Sequence, residues 1–116
     1  MKEEIMERTK KLAIKIINFC EQLPRSTKYF VIEKQLIRSA TSVGANYRAV
    51  CRAKSKADFI AKLGIVEEEA DETLYWFELL LEINPKLKDK IKPLYNEMNE
   101  ILSIIVASKK TARKNK

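Results

Sequence analysis

The chain has 116 residues, of which 46% are hydrophobic and 34% charged, and it carries a net charge of +7. That length allows a single domain, and the low content of glycine and proline is typical of a helical protein. The sequence contains no histidine, which excludes Ser–His and Cys–His nucleophile pairs, Glu-x-x-His di-iron bundles and His-containing zinc sites. We therefore expect no enzymatic activity, no metal and no cofactor.

Two further classes of protein are excluded by pattern. No apolar run approaches the roughly 18 residues of a membrane span, and the N-terminus lacks the apolar core of a signal peptide. The two cysteines, Cys20 and Cys51, fall at apolar positions of different predicted helices, which favours buried thiols over a bridge. We expect a cytoplasmic protein that does not contact a membrane.

The net charge is distributed unevenly along the chain. Residues 29–57 sum to +5 and residues 85–116 to +6, whereas residues 58–84 sum to −7. The positive charges therefore collect in one central segment and at the C-terminus, with an acidic segment between them.

The first helix is predicted from about Lys2 to Gln22, because Pro24 cannot continue it. The second is predicted within residues 29–56 and has three faces. Its apolar stripe consists of Ile32, Leu36, Ala40, Val43, Tyr47 and Val50, and its basic stripe of Lys34, Arg38, Arg48 and Arg52. Between them lies a row of small or amide residues, namely Gln35, Ser39, Ser42, Asn46 and Ala49. This row, together with Gly44, predicts close packing of a second body, and we assign the row to an oligomer interface.

The third helix is predicted from an imperfect capping box at Ser55–Asp58 to about Ile83. The fourth follows Pro85, and Pro93 inside it either kinks the helix or marks its first turn. We expect residues 1–108 to form an all-α, up-down-up-down antiparallel four-helix bundle. Residues 109–116, which are basic and contain no large apolar residue, are predicted to be a disordered tail.

The basic stripe needs a partner, because like charges at four-residue spacing repel along a helix. Phosphates are one candidate, since arginine contacts them in a bidentate manner. Carboxylates of the third helix are the other, and the sequence leaves both open. The predicted nucleic-acid-binding residues are Lys34, Arg38, Arg48, Arg52, Lys109, Lys110, Arg113 and Lys114.

Two motifs on the third helix have a structural and a functional interpretation. The acidic run at residues 67–72 could hold a divalent cation, but a solvated face or one paired with basic residues is favoured. Tyr75 and Trp76 could stack on bases, but packing at a helix or subunit interface is favoured. No motif that reads base edges is present.

Residues 35–80 carry a resemblance to a known family. Its features are the segment QLIRSATS at 35–42, Ala45-Asn46, Phe59, and Glu68 and Glu72 in an acidic third helix. The chain resembles the four-helix-bundle family named for proteins encoded in 23S rRNA intervening sequences, which includes the accessory variability protein of diversity-generating retroelements. The resemblance implies a homopentameric barrel with a basic surface, and in the retroelement branch a nucleic-acid-binding partner of a reverse transcriptase.

These observations predict a non-enzymatic homo-oligomer that binds RNA or DNA without sequence specificity through a basic surface. The alternative is a protein-interaction scaffold that docks a reverse transcriptase or another nucleic-acid enzyme.

Overall fold

Four long helices make up most of the computed structural model, which describes residues 1–115. A short 3-10 turn at Pro85–Leu87 precedes the last helix. The helices are α1 (Lys2–Cys20), α2 (Thr27–Val50), α3 (Lys56–Ile83) and α4 (Lys88–Lys114). None of these helices, within residues 1–115, is long and apolar enough to cross a membrane.

Each helix packs antiparallel against its neighbours in the chain, and α1 also contacts α4. This closes a bundle of 49 × 22 × 19 Å in which α2 and α4 lie diagonally opposite each other. The prediction of an all-α, antiparallel four-helix bundle is confirmed. The core is one cluster of apolar side chains drawn from all four helices, including Leu12, Ile16, Leu36, Val43, Val66, Phe77, Ile91 and Ile101.

Polar residues lie at the boundaries of the helices. The Ser55 hydroxyl accepts a hydrogen bond from the backbone N–H of Asp58 at 3.0 Å, which caps α3. The Asn84 side chain accepts from the backbone N–H of Lys86 at 3.2 Å and begins the turn that leads into α4. Ser26 occupies the cap position of α2 but makes no side-chain capping bond.

Gly44 marks the closest approach of α2 to α1. A Cβ at this position would lie 3.2 Å from Thr9 Oγ1 and 3.4 Å from Thr9 Cβ. The predicted close approach at Gly44 is therefore real, and the element that approaches is α1 of the same chain. Gly64 on α3, by contrast, has open space around it.

Three local predictions need correction. α2 ends at Val50, so Arg52 lies in the turn after the helix and is not part of a helical stripe. α4 continues to Lys114, so the predicted disordered tail is helical over residues 109–114, while Lys116 lies outside the described residues. Pro93 lies inside α4, several residues after its start at Lys88, so it does not mark the first turn.

Ser39 also differs from its predicted role. Its side chain is fully buried, and its hydroxyl accepts a hydrogen bond from the Thr73 hydroxyl of α3 at 2.8 Å. Ser39 therefore packs inside the protomer and is not available to an oligomer interface. Only the other members of the row stay in the predicted interface, namely Gln35, Ser42, Asn46 and Ala49.

Candidate nucleic-acid interface

Arg38, in the middle of α2, is held by acidic residues of α3. Its guanidinium donates to Glu69 Oε2 at 3.1 Å and to Glu72, and its Nε donates to Gln35 Oε1 at 3.0 Å. The Glu69 side chain is only 16% exposed, whereas that of Arg38 is 47% exposed. Arg38 was predicted to bind phosphate, but its donors are already engaged within the protomer.

Two further cations are paired between helices. Lys109 on α4 lies 2.6 Å from Glu67 on α3, and its side chain is 19% exposed. Arg8 on α1 donates to both carboxylate oxygens of Glu97 at 2.8 and 2.9 Å, and it lies 3.0 Å from Glu100. These pairs tie α4 to α3 and α1, and they remove Lys109 from the set of free cations.

The acidic run on α3 is explained by these contacts. Glu67 pairs with Lys109, and Glu69 and Glu72 hold Arg38, whereas Glu68 and Asp71 are exposed. The run is therefore partly paired with basic residues and partly solvated. Among residues 1–115 no group of three or more Asp, Glu or Cys side chains is arranged to hold a metal ion.

Lys34, the first residue of the predicted basic stripe, is exposed and contacts an aromatic ring. Its ammonium lies 5.2 Å from the centroid of Phe30, a cation–π distance. This places Lys34 near the start of α2, at the opposite end from Arg48 and Arg52.

Seven of the unpaired cations lie together at one end of the bundle. Because the helices alternate in direction, the start of α1, the end of α2, the start of α3 and the end of α4 meet there. The start of α1 brings the exposed residues Lys2, Glu3 and Glu4 to this end. From Arg48 to residue 115, seven cations at this end are exposed and have no carboxylate within 4.0 Å: Arg48, Arg52, Lys54, Lys56, Lys110, Arg113 and Lys114. We call this set the basic end.

Five of these seven residues were predicted from the sequence, and two were missed. Lys54 and Lys56 were overlooked because they lie off the helical stripe, in and after the turn between α2 and α3. The net charge of that turn was the signal that could have identified them.

The turn that carries Lys54 is fixed by Asp58. The Asp58 carboxylate accepts a hydrogen bond from the backbone N–H of Lys54 at 3.0 Å, and it lies 2.5 Å from the ammonium of Lys62. The Lys62 contact, then the Lys54 bond, lower the pKa of Asp58, so this carboxylate stays ionised. Asp58 is therefore an internal partner within a cationic surface.

The other end of the bundle has a mixed charge. Its exposed cations stand among exposed acidic residues, and Lys90 donates to Gln22 at 3.1 Å. The cations there are Arg25, Lys28, Lys86, Lys88, Lys90 and Lys92, and the carboxylates are Glu21, Glu78, Glu82 and Asp89. None of these six cations has a carboxylate within 4.0 Å in residues 1–115 either, so the two ends differ in their balance of exposed charges. The seven cations of the basic end and Lys2 share it with Glu3 and Glu4, whereas six cations share the mixed end with four carboxylates.

The aromatic residues of α3 and the two cysteines take structural positions. Trp76 is half-buried and donates its indole N–H to Glu72 at 3.0 Å, and Tyr75 packs edge-on against it at 5.1 Å. Cys20 is buried, and burial raises the pKa of its thiol to about 12. Cys51 is half-buried with its sulfur 3.8 Å from that of Met6.

Comparisons with known proteins agree on one family. Residues 1–107 match the family described as 23S rRNA-intervening sequence protein. A crystal structure from Bacteroides thetaiotaomicron, described as a protein with unknown function from the S23 ribosomal protein family, is 37% identical and superposes with a TM-score of 0.85. The alignment covers 95% of this chain and 99% of that one. Comparison with curated proteins gives no match. The chain therefore belongs to the 23S rRNA-intervening sequence protein family.

Proposed function

We propose that this chain is a cytoplasmic, non-enzymatic protein that binds RNA or DNA through its basic end, without sequence specificity. One observation carries the proposal: at the basic end the exposed cations far outnumber the exposed carboxylates, and seven of them have no carboxylate partner among residues 1–115. Gathering unpaired like charges is unfavourable unless a polyanion offsets it. Phosphate contacts of this kind supply affinity and orientation but carry no sequence information.

The proposal is tested by titrating a labelled, structured RNA with the protein at low and high salt. Each neutralised phosphate lowers the logarithm of affinity by about 0.9 per unit of log salt on a duplex. Four to six contacts would therefore give a slope of roughly −4 to −5. Absence of binding at low salt would contradict the proposal.

We further propose that the protein acts as a homo-oligomer, which the family resemblance suggests is a pentamer. The seam between α2 and α3 supports this. Ser42 and Ala49 lie on the same face of α2 as Val31, which is 52% exposed. On α3, Ile65 and Ile83 are 46% and 36% exposed. Exposed apolar side chains around small residues are typical of a surface that a second subunit covers.

The mass in solution tests the assembly, and two serines allow a matched control. Ser42 on the seam donates to the carbonyl of Arg38 at 2.7 Å, and Ser103 on α4 donates to that of Asn99 at 3.0 Å. Ser42→Lys is expected to dissociate the oligomer, because a long charged side chain blocks close approach. Ser103→Lys is expected to leave the mass unchanged. A wild-type mass of 13.5 kDa at all concentrations would contradict assembly.

The α2–α3 seam also favours a second candidate function, a scaffold that docks a reverse transcriptase or another nucleic-acid enzyme. Exposed Tyr75 and half-buried Trp76 give this surface the aromatic character of protein interfaces. A pull-down distinguishes the two functions. If the protein is a scaffold, the enzyme stays bound after nuclease treatment and is lost when Ser42→Lys is used. If nucleic acid bridges the two proteins, nuclease treatment releases the enzyme.

A further inference from the structure

We propose that the basic end binds a nucleic-acid duplex, with two separate groups of cations contacting its two strands, in preference to an unpaired strand. This inference rests on the proposed nucleic-acid binding and narrows it to one class of ligand. The α2 group consists of Arg48, Arg52 and Lys54, and the α4 group of Lys110, Arg113 and Lys114.

The spacing of the two groups carries the first part of the argument. α2 and α4 are diagonal in the bundle, and neighbouring helices in such bundles are about 8–10 Å apart, so their axes are separated by roughly 13 Å. The major groove of a DNA duplex is about 12 Å wide. The helices that carry the two groups are therefore separated by about the width of this groove, which allows the groups to contact phosphates on its two sides.

The size of the end is consistent with this contact. The bundle measures 22 × 19 Å across its shorter axes. A duplex running over such a surface presents about six phosphates per strand, at 3.4 Å per phosphate. The α2 and α4 groups can therefore each meet several phosphates without the duplex bending.

The positions of the aromatic residues carry the second part. Proteins that bind unpaired strands stack bases on exposed aromatic side chains. Phe30 and Tyr75, which are 57% and 52% exposed, lie in the opposite half of the bundle. At the basic end Tyr47 is buried, and Phe59 packs against the core. Among the described residues, the basic end thus offers charge but no stacking platform.

The main experiment compares one sequence in two forms, using the full chain at about 0.1 M salt. The probes are a labelled 20-base-pair duplex and one of its strands, chosen not to pair with itself, in RNA and DNA versions. The DNA duplex, on whose groove width the argument rests, is expected to bind at least ten-fold more tightly than its single strand. Equal or tighter binding of the single strand overturns the inference. Absence of binding to every probe overturns the proposed function as well.

Three paired substitutions test the two-strand contact. Arg48→Ala/Arg52→Ala and Arg113→Ala/Lys114→Ala each remove one group, and Lys88→Ala/Lys92→Ala removes two exposed lysines from the mixed end. Each basic-end variant is expected to lose at least ten-fold affinity for the duplex and to show a smaller preference for it. The control is expected to stay within two-fold. Unchanged duplex binding after removal of either group overturns the two-strand contact.

The single tryptophan gives an independent readout. Trp76 is about 30 Å along α3 from Lys56, counted at 1.5 Å per residue. Its fluorescence is expected to be unchanged when the duplex binds. Quenching by the single strand together with tight binding would place bases at the aromatic residues and overturn the inference.

Discussion

In the middle of the bundle Arg38 lies between two carboxylates of α3, whereas further along the same helix Arg48 has none within 4.0 Å in residues 1–115. Both side chains are exposed, so accessibility does not separate them. The acidic residues of α3 separate them, because Glu69 and Glu72 lie opposite Arg38. Before Glu67 the only carboxylate of α3 is Asp58, which is paired with Lys62. The basic residues of one stripe can therefore have different roles. Those opposite carboxylates of the neighbouring helix form structural ion pairs, and those without such carboxylates remain available to a ligand.

The largest expected effect comes from the available arginines. Arg48→Ala/Arg52→Ala should weaken binding of a duplex about 50-fold at ~0.1 M salt, because each lost phosphate contact removes about 1.2 kcal/mol of counterion release. The slope of log affinity against log salt should become shallower by about 1.8. Fluorescence anisotropy over a salt series measures both. Arg38→Ala serves as the matched control. A similar loss of affinity in that variant would contradict the distinction between paired and available arginines.

The next effect concerns stability. Arg38→Ala should lower the free energy of unfolding by about 1 kcal/mol, because Glu69 and Glu72 lose their partner and repel each other. Arg48→Ala should change it by less than about 0.5 kcal/mol, since no ion pair is lost. Urea unfolding at low ionic strength compares the two variants. Equal stability of both would indicate that the Arg38 pairs contribute nothing.

A smaller effect, on the stability of the protein in acid, is expected from the ion pair between Arg8 and Glu97. The hydrogen bonds from Arg8 lower the pKa of Glu97 below its usual 4.5, although partial burial opposes this. A carboxylate whose pKa is lower in the folded state than in the unfolded state stabilises the fold at pH values above its unfolded-state pKa. This stabilisation is lost as the pH falls through the folded-state pKa. Unfolding midpoints between pH 7 and pH 3 should therefore fall less steeply in Arg8→Ala than in the wild type. Arg48→Ala should follow the wild type, and identical curves for all three proteins would contradict the assignment.

The smallest effect tests whether contact or overall charge governs binding. Glu69→Gln/Glu72→Gln releases Arg38 and removes two negative charges from the middle of the bundle. Arg38 is about 15 Å from Arg48 along α2, which exceeds the ~10 Å Debye length at 0.1 M salt. Duplex affinity should therefore change by less than about two-fold. A large gain would show that net charge, not the basic end, determines binding.

The fold could be predicted in most of its features because local signals agreed with the helical pattern. Pro24, Ser55 and Asn84 stand at the helix boundaries, and apolar stripes defined the inward faces. The end of α4 was missed because its last residues are basic and small. The signal that was available is the continued three- and four-residue spacing through Ile105, Ser108 and Ala112, whose side chains are buried or half-buried.

The candidate site was less predictable, for a reason of geometry. Pairing between helices depends on their relative rotation and register, which one helix's sequence does not contain. Arg38 and Arg48 belong to the same predicted stripe, about 80° apart on a helical wheel. The positions of Glu69 and Glu72 across the seam show that Arg38 is the paired one. Ser39 was misassigned for the same reason, because a residue beside the apolar stripe can face the neighbouring helix as readily as another subunit.

The turn between α2 and α3 has a consequence for engineering the basic end. Asp58 is the natural target for anyone wishing to strengthen attraction to polyanions, since it is an acidic residue in a cationic neighbourhood. Yet its oxygens hold the backbone of Lys54 and the ammonium of Lys62, and its own N–H is anchored on Ser55. Neutralising Asp58 would make the surface more positive, but it would also loosen the loop that presents Arg52 and Lys54. The more cationic protein should therefore bind polyanions less tightly.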